Sequence, residues 1–296
     1  MRSAWRAGKS SLVPEAAARV GALLDRATAR LQAAGVAEPR REARRIWSDL
    51  EELAGRAPAP DRDALPAADA AAGYEAAVTR RVGGEPLPYV TGLAGFRRLT
   101  LQVDRRVLIP RPETEGLVDL VLARVSTRRV ADVGTGSGCI ALALADEGRF
   151  TEVLGIDRSA AALDVARENA RRTGHAVTWI RGDLLTSIEP DSLDAVVSNP
   201  PYLTEQEYRE LDPSVRDWEP RDALASGEDG LAATVSLIAE ALRVTRAGGW
   251  LALEVDASRA EQVARLATGA GWKDVSVHMD LFDRARYVLA RRSEAE

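Results

Sequence analysis

The apolar run Leu193-Asp194-Ala195-Val196-Val197-Ser198 is followed directly by Asn199-Pro200-Pro201-Tyr202, and this pairing carries the clearest chemistry in the chain. The run predicts a buried strand, so the tetrapeptide is a turn at a strand end. Paired prolines fix φ and remove two backbone donors. The turn therefore presents carbonyl oxygens and the Asn199 amide oxygen as acceptors in a nearly rigid frame. A planar NH2 group meets its needs there. An amide nitrogen is a poor nucleophile because its lone pair is delocalised, so a catalyst must orient it and let it pyramidalise. Asn199 and the Pro200 carbonyl could each accept one N–H and bond more strongly as positive charge grows, with Tyr202 packed on the planar group. The plainer alternative is a structural Asn-Pro turn.

A second element supplies a partner for such a nitrogen. Asp132-Val133 ends an apolar strand, and Gly134-Thr135-Gly136-Ser137-Gly138 opens a helix predicted over 139–147. Alternating glycines let the backbone approach a ligand, and the helix N-terminus adds donors. The loop lacks the Lys-Ser/Thr ending of a phosphate-cradling loop, and its G-x-G-x-G spacing differs from the dinucleotide G-x-G-x-x-G. That favours S-adenosylmethionine. Asp157 ends the next strand about 20 residues on, where a carboxylate accepts from ribose hydroxyls. Its alternative role is a charge at the N-terminus of the helix after Ser159. Gly182-Asp183, ending a third strand, would bring a carboxylate toward an adenine amino group, with Leu184 against the ring. Alone, Asp183 reads equally well as a loop cap.

These strand ends need a frame. Short apolar strands at 130–133, 153–156, 177–180, 195–197 and 250–255 alternate with helical stretches, the pattern of a parallel doubly wound sheet. Segments 275–279 and 286–290 have no helix between them, so the last strand must run antiparallel. Upstream, Val13, Ala17, Val20, Leu24, Ala27 and Leu31 predict a helix ended by Gly35. Ala43, Ile46, Trp47, Leu50 and Leu53 predict a second, closed by Gly55 and a loop at 58–60, and a third spans 65–82 with Tyr74 and Val78 inward. The expected organisation is a small helical bundle over 1–82, a β-hairpin linker over 83–112 and a catalytic domain over 113–296.

Composition narrows the class. At 296 residues, with 46% apolar and 29% charged residues, the chain is an ordinary globular α/β protein. No apolar run approaches the roughly 20 residues of a membrane span, and residues 1–9 lack the apolar core of a secretory signal, so a cytoplasmic location is expected. One cysteine and two histidines speak against a disulfide or a metal centre. The net charge of −5 argues against general nucleic-acid binding. Residues 1–82 hold 14 basic and 11 acidic side chains against 26 and 34 in the remainder, so an accessory basic region sits beside an acidic core.

The chain resembles the class I methyltransferases that methylate the glutamine side chain of peptide chain release factors. The resemblance rests on Arg80-Arg81 through Gly84-Glu85-Pro86-Leu87-Pro88-Tyr89-Val90-Thr91-Gly92, on Phe96, and on Leu108-Ile109-Pro110-Arg111-Pro112-Glu113-Thr114-Glu115. The glycine loop, the Asn-Pro-Pro-Tyr turn and Glu38 to Ala43 complete it. Adenine N6-methyltransferases share the turn but generally not the Ile-Pro-Arg-Pro-Glu-Thr-Glu element. The resemblance implies a seven-stranded Rossmann-like sheet, S-adenosylmethionine as cofactor and a release factor as protein partner, docked by the N-terminal bundle. It implies that Gly134, Thr135, Gly136, Ser137 and Gly138 hold the methionine part, Asp157 the ribose, and Asp183 and Leu184 the adenine side. Leu108 and Thr114 would line the cofactor pocket, which Asn199 joins, and Asn199, Pro200, Pro201 and Tyr202 would hold the substrate amide. Two segments depart from the family. Glu254-Val255-Asp256-Ala257-Ser258-Arg259 stands where relatives carry Glu-x-Gly-x-x-Gln, and Ala285 stands where an acidic residue is common. The competing readings are a relative methylating a small planar nitrogen, such as a free guanidine, and an adenine N6-methyltransferase.

Overall fold

A computed structural model describes residues 18–58, 61–125 and 128–294. They form two compact units, 1–83 and 84–296. The first holds α1 (Val20–Ala33), α2 (Pro39–Leu53) and α3 (Ala68–Val82). The expected start of the first helix at Val13 and part of the 58–60 loop lie outside the described residues. Leu24, Ala27, Leu31, Ile46 and Val78 are buried, and Tyr74 meets Trp47 edge-on with ring centroids 5.4 Å apart. The Tyr74 hydroxyl donates to the Ala43 carbonyl at 2.9 Å, so the buried phenol has its partner. The apolar stripe of α2 is shorter than expected. Leu53 is 39% exposed, because the drift of the helical repeat carries the last turn off the buried face.

The second unit begins with α4 (Leu87–Thr91), a short helix in a segment whose sequence suggested only strand. The hairpin β1 (Leu93–Phe96) and β2 (Leu99–Gln102) follows. Two prolines at 86 and 88 fit a helix start, where a missing N–H costs nothing. The chain continues through α5 (Pro112–Leu122), β3 (Arg129–Val133), α6 (Cys139–Glu147), β4 (Glu152–Asp157), α7 (Ala160–Thr173), β5 (Thr178–Arg181) and β6 (Leu193–Ser198). It then runs through the short helices α8 (Glu205–Glu210) and α9 (Pro213–Arg216), α10 (Ala232–Val244), β7 (Thr245–Glu254), α11 (Ala260–Ala270), β8 (Lys273–Met279) and β9 (Ala285–Arg291).

Seven strands form one sheet in the order β5-β4-β3-β6-β7-β9-β8. The first five strands are parallel, and β9 inserts antiparallel between β7 and β8. The antiparallel last strand agrees with expectation. Alternation assigns the two faces: Val130, Val153, Ala195, Val197 and Ala252 pack with α5, α6 and the hairpin residues Phe96 and Leu101. Ala131, Leu154, Val196, Leu251 and Val288 pack with α10, α11 and Trp272. Every residue of β6 is buried, as a strand covered on both faces must be.

The hairpin packs against the helices of this unit. Arg97 at its turn, with φ 52°, pairs with Glu147 of α6 at 2.5 Å, and its backbone N–H donates to Glu115 of α5 at 2.9 Å. The strand order reverses between β3 and β6. The glycine loop and the Asn199 turn therefore leave neighbouring strands at the carboxyl edge, where the crevice of such a sheet opens.

Candidate active site

A cavity of about 660 Å³ lies at that crevice. Gly134, Gly136, Asp157, Gly182, Asp183, Leu184, Leu108, Asn199 and Pro201 all line it, so residues from four strand ends converge with Leu108, which precedes the Ile-Pro-Arg-Pro element. Residues 220–227 and the start of α10 close the opposite side. A Cβ built at Gly134 would meet nothing within 4 Å, and one at Gly136 only the Gly134 carbonyl at 3.9 Å. Both glycines have positive φ. The loop thus turns bare backbone toward open space, a cradle that a ligand fits and side chains would fill.

The other loop residues do different work. The Thr135 hydroxyl faces inward and bonds the Asp132 carboxylate at 2.5 Å, which also accepts the Ala141 N–H at 3.1 Å. Asp132 is fully buried, and that burial pushes its carboxyl up to about 7 against these two hydrogen bonds. Ser137 is 2% exposed, and its carbonyl accepts from Asn169 of α7 at 2.9 Å. Asn169 also exchanges two hydrogen bonds with Gln102 of β2, at 2.6 and 2.9 Å. This fully buried amide ties the glycine loop to the hairpin. An isolated Asn on a helix carries no sequence signal of such a role.

Asp157 takes the helix-terminal position weighed for it and also lines the cavity. One carboxylate oxygen accepts the Ser159 N–H at 2.9 Å, at the N-terminus of α7, and the other accepts the Gly136 N–H at 2.9 Å. It remains on the cavity wall with lone pairs to spare for ribose hydroxyls. Leu184 sits on the same wall with φ 48°, a conformation a leucine adopts only where its surroundings impose it. Leu108 lines the cavity. Thr114 does not: it is 2% exposed and lies behind Asn199, whose amide nitrogen donates to its hydroxyl at 3.2 Å. The first turn of α5 faces the end of β6, so the Thr114 side chain meets the turn instead of the cavity.

The segment after the turn is held at several points. Leu203 bridges to Ala225, and Thr204 and Glu207 form a reciprocal capping box at the start of α8. A Cβ on Gly230 would lie 2.5 Å from the Tyr202 carbonyl, so only glycine permits this approach. Glu219, 5% exposed, accepts the Ile109 N–H at 3.1 Å and pairs with Arg111 at 2.5 Å, clamping the Ile-Pro-Arg-Pro element beside the cavity. Arg259 stands at the first departure from the family pattern, and it pairs with Glu207 at 2.7 Å. Tyr202 is not on the cavity wall. Burial pushes its phenol up to about 12, reinforced by the nearby Glu254.

Among the described residues no cluster of three His, Cys, Asp or Glu side chains is placed to hold a metal ion, and no helix is long and apolar enough to cross a membrane. The sheet order, the antiparallel insertion and the glycine loop define a class I methyltransferase. The crystal structure of a methyltransferase from Pyrococcus furiosus shares the fold at a TM-score of 0.52 and 17% identity, covering 66% of this chain and 90% of that one. A family model described as the PrmC N-terminal domain matches residues 22–92, and one described as the methyltransferase small domain matches 113–212. The release factor glutamine methyltransferase of Deinococcus radiodurans is 40% identical over 274 residues, 92% of this chain and 98% of the relative. That of Moorella thermoacetica is 42% identical over 284 residues with the same coverage, and that of Nitratidesulfovibrio vulgaris 44% over 223 residues, 73% of this chain and 76% of the relative. The chain belongs to the release factor glutamine methyltransferase family, and S-adenosylmethionine is its cofactor.

Proposed function

We propose that this chain methylates the side-chain amide nitrogen of the glutamine in the Gly-Gly-Gln motif of peptide chain release factors. The observation that carries the reading is near-complete coverage of relatives so named at 40% identity, with the Asn-Pro-Pro-Tyr turn set at the cavity formed by the glycine loop. Gly134 and Gly136, with the loop running on to Gly138, offer bare backbone against which the methionine part of the cofactor would pack, Asp157 would take the ribose, and Asp183 and Leu184 the adenine. Bound there, S-adenosylmethionine supplies an electrophilic methyl carbon whose bond to sulfur breaks as its bond to nitrogen forms.

The chain's own residues prepare the nitrogen. The Asn199 side-chain oxygen and the Pro200 carbonyl accept its two N–H bonds, fix its direction, and favour the pyramidal, positively charged form over the planar amide. Tyr202, off the cavity wall, would reach the glutamine amide only from the side of the turn where the release factor enters. The methylated nitrogen then loses a proton to water. No strong base is needed, because a protonated amide nitrogen is acidic. The N-terminal bundle docks the release factor.

The test is transfer of labelled methyl from S-adenosylmethionine to a purified release factor. Label on the glutamine of the Gly-Gly-Gln tryptic peptide is the expected result. A labelled free amino acid or nucleic acid with an unlabelled release factor overturns the reading.

A further inference from the structure

Of the large apolar side chains left exposed in the second unit, among the described residues, three of four fall within one short stretch: Met279, Leu281 and Phe282, at 61, 93 and 63% exposure. They sit at the turn that joins β8 to β9. Single exposed apolar side chains are ordinary, whereas a cluster of them marks a surface that another molecule covers. The turn itself is firmly held. Asp280 is buried, and one of its carboxylate oxygens accepts the Phe282 N–H at 2.8 Å and the Arg284 N–H at 3.0 Å, while the other meets Arg286 at 3.4 Å. The Asp280 N–H donates to the Arg284 carbonyl at 2.8 Å, and Asp283, with φ 57°, donates its N–H to the Asp280 carbonyl at 3.1 Å. These bonds fix the backbone without the Leu281 and Phe282 side chains. An apolar pair held out on a fixed turn loses little freedom when it is covered.

The position of the turn says what covers it. β9 is antiparallel to both β7 and β8, so β8 runs in the direction of β6 and leaves the sheet at the carboxyl edge, the edge of the cavity and the Asn199 turn. Neighbouring strands lie about 4.8 Å apart, so the order β6-β7-β9-β8 puts the β8–β9 turn about 10–15 Å along that edge from the end of β6. A protein interface of ordinary size covers roughly 800 Å² on each partner, a disc about 16 Å in radius. A folded protein that delivers a side chain to Asn199 therefore reaches this turn. A free amino acid does not.

We propose that Met279, Leu281 and Phe282 form a docking site on the catalytic unit for the release factor, taking an apolar patch beside its Gly-Gly-Gln loop. This rests on the proposed function, under which the glutamine of that loop meets Asn199. None of the three side chains lines the cavity. The turn therefore acts on the encounter with the protein substrate and on neither cofactor binding nor the methyl-transfer step.

The experiment measures methyl transfer to an intact release factor at saturating S-adenosylmethionine. The double variant Leu281→Ser, Phe282→Ser should raise KM for the release factor about tenfold, with kcat and the Kd for S-adenosylmethionine within about twofold of wild type and the thermal midpoint unchanged. Leu281→Met with Phe282→Leu keeps the apolar surface, and its KM should stay within about threefold of wild type. A serine double variant whose KM lies within about twofold of wild type overturns the proposal, as does an equal rise in KM in the apolar variant. Should the double variant fail to fold, Leu281→Ser alone decides: a rise in KM of about threefold supports the docking site, and an unmoved KM overturns it. Sedimentation that shows a wild-type dimer parted by the serine variants assigns the turn to a second copy of the chain and also overturns it. A wild type that leaves the release factor unlabelled fails the proposed function, and the docking site falls with it. A labelled release factor with an unmoved KM fails the docking site alone.

Discussion

Asn199 differs from its neighbours in making one bond inward, to Thr114, while its other end faces the cavity. Asn199→Ala removes the acceptor and leaves the backbone turn, which the prolines and the Leu203 to Ala225 bridge hold in place. Its kcat on a release factor should fall by about 10²- to 10³-fold, the usual cost of deleting one preorganised group that bonds the charge developing in a transition state. Cofactor affinity, measured by calorimetry, should change far less, since the glycine loop and Asp157 are untouched. Asp157→Ala should do the reverse. It strips the proposed ribose acceptor and also releases the Gly136 and Ser159 N–H groups it now holds. The Kd for S-adenosylmethionine should rise at least tenfold, while the turnover that remains at saturating cofactor stays within a few-fold of wild type.

At the scale of elements, the site depends on two buried side chains that reach between segments distant in sequence. Asn169 on α7 bonds both β2 and the glycine loop, so Asn169→Ala strips one buried and two part-buried backbone groups of this partner. Thermal unfolding should show a loss of roughly 3 kcal/mol, and cofactor affinity should fall with it because the loop loses its anchor. Glu219 joins Arg111 and Ile109 to the segment that closes the cavity. Glu219→Ala removes the partner of the half-buried Arg111 and of the Ile109 N–H, and stability should fall by about 1–3 kcal/mol in thermal unfolding. Arg259 is a different case. Its pairing with Glu207 fastens α8 beside the Asn199 turn, so the residue at this departure from the family pattern supports the turn through an ion pair.

For the whole molecule, two buried carboxyls set the response to pH. Burial raises both Asp132 and Glu254 to about 7. Between the ordinary carboxylate range near 4 and about pH 7, the folded state therefore binds protons that the unfolded chain has released. The sign follows: stability is greatest at the acidic end of this window and falls as pH rises through it, by up to ~1.4 kcal/mol per pH unit for each group. Denaturant titrations at both ends of the window should show a higher midpoint at the acidic end, and Asp132→Asn should flatten the dependence. Carboxylates held low by partners, such as Glu147 beside Arg97 and Asp104 beside Arg106, act below this window with the opposite sign.

The sequence by itself determined the sheet, its antiparallel last strand and the convergence of the glycine loop, Asp157, Asp183, Leu184 and Asn199. These follow from apolar period, glycine spacing and strand ends, which are local properties of the chain. It also carried the family, in the Ile-Pro-Arg-Pro-Glu-Thr-Glu element that other methyltransferases with the same turn generally lack. On the residues alone a small planar nitrogen remained a competing acceptor, and the near-complete match to named relatives favours the release factor. What only the tertiary structure decided is the support behind the site. Asn169 and Glu219 lie 32 and 110 residues from Ser137 and Ile109, their partners. Thr114 moved for the same reason, from the expected cavity wall to the space behind Asn199. A buried polar group finds its partner through the packing of whole elements, and no spacing along the chain encodes which carboxyl will meet which hydroxyl once the sheet has closed over both.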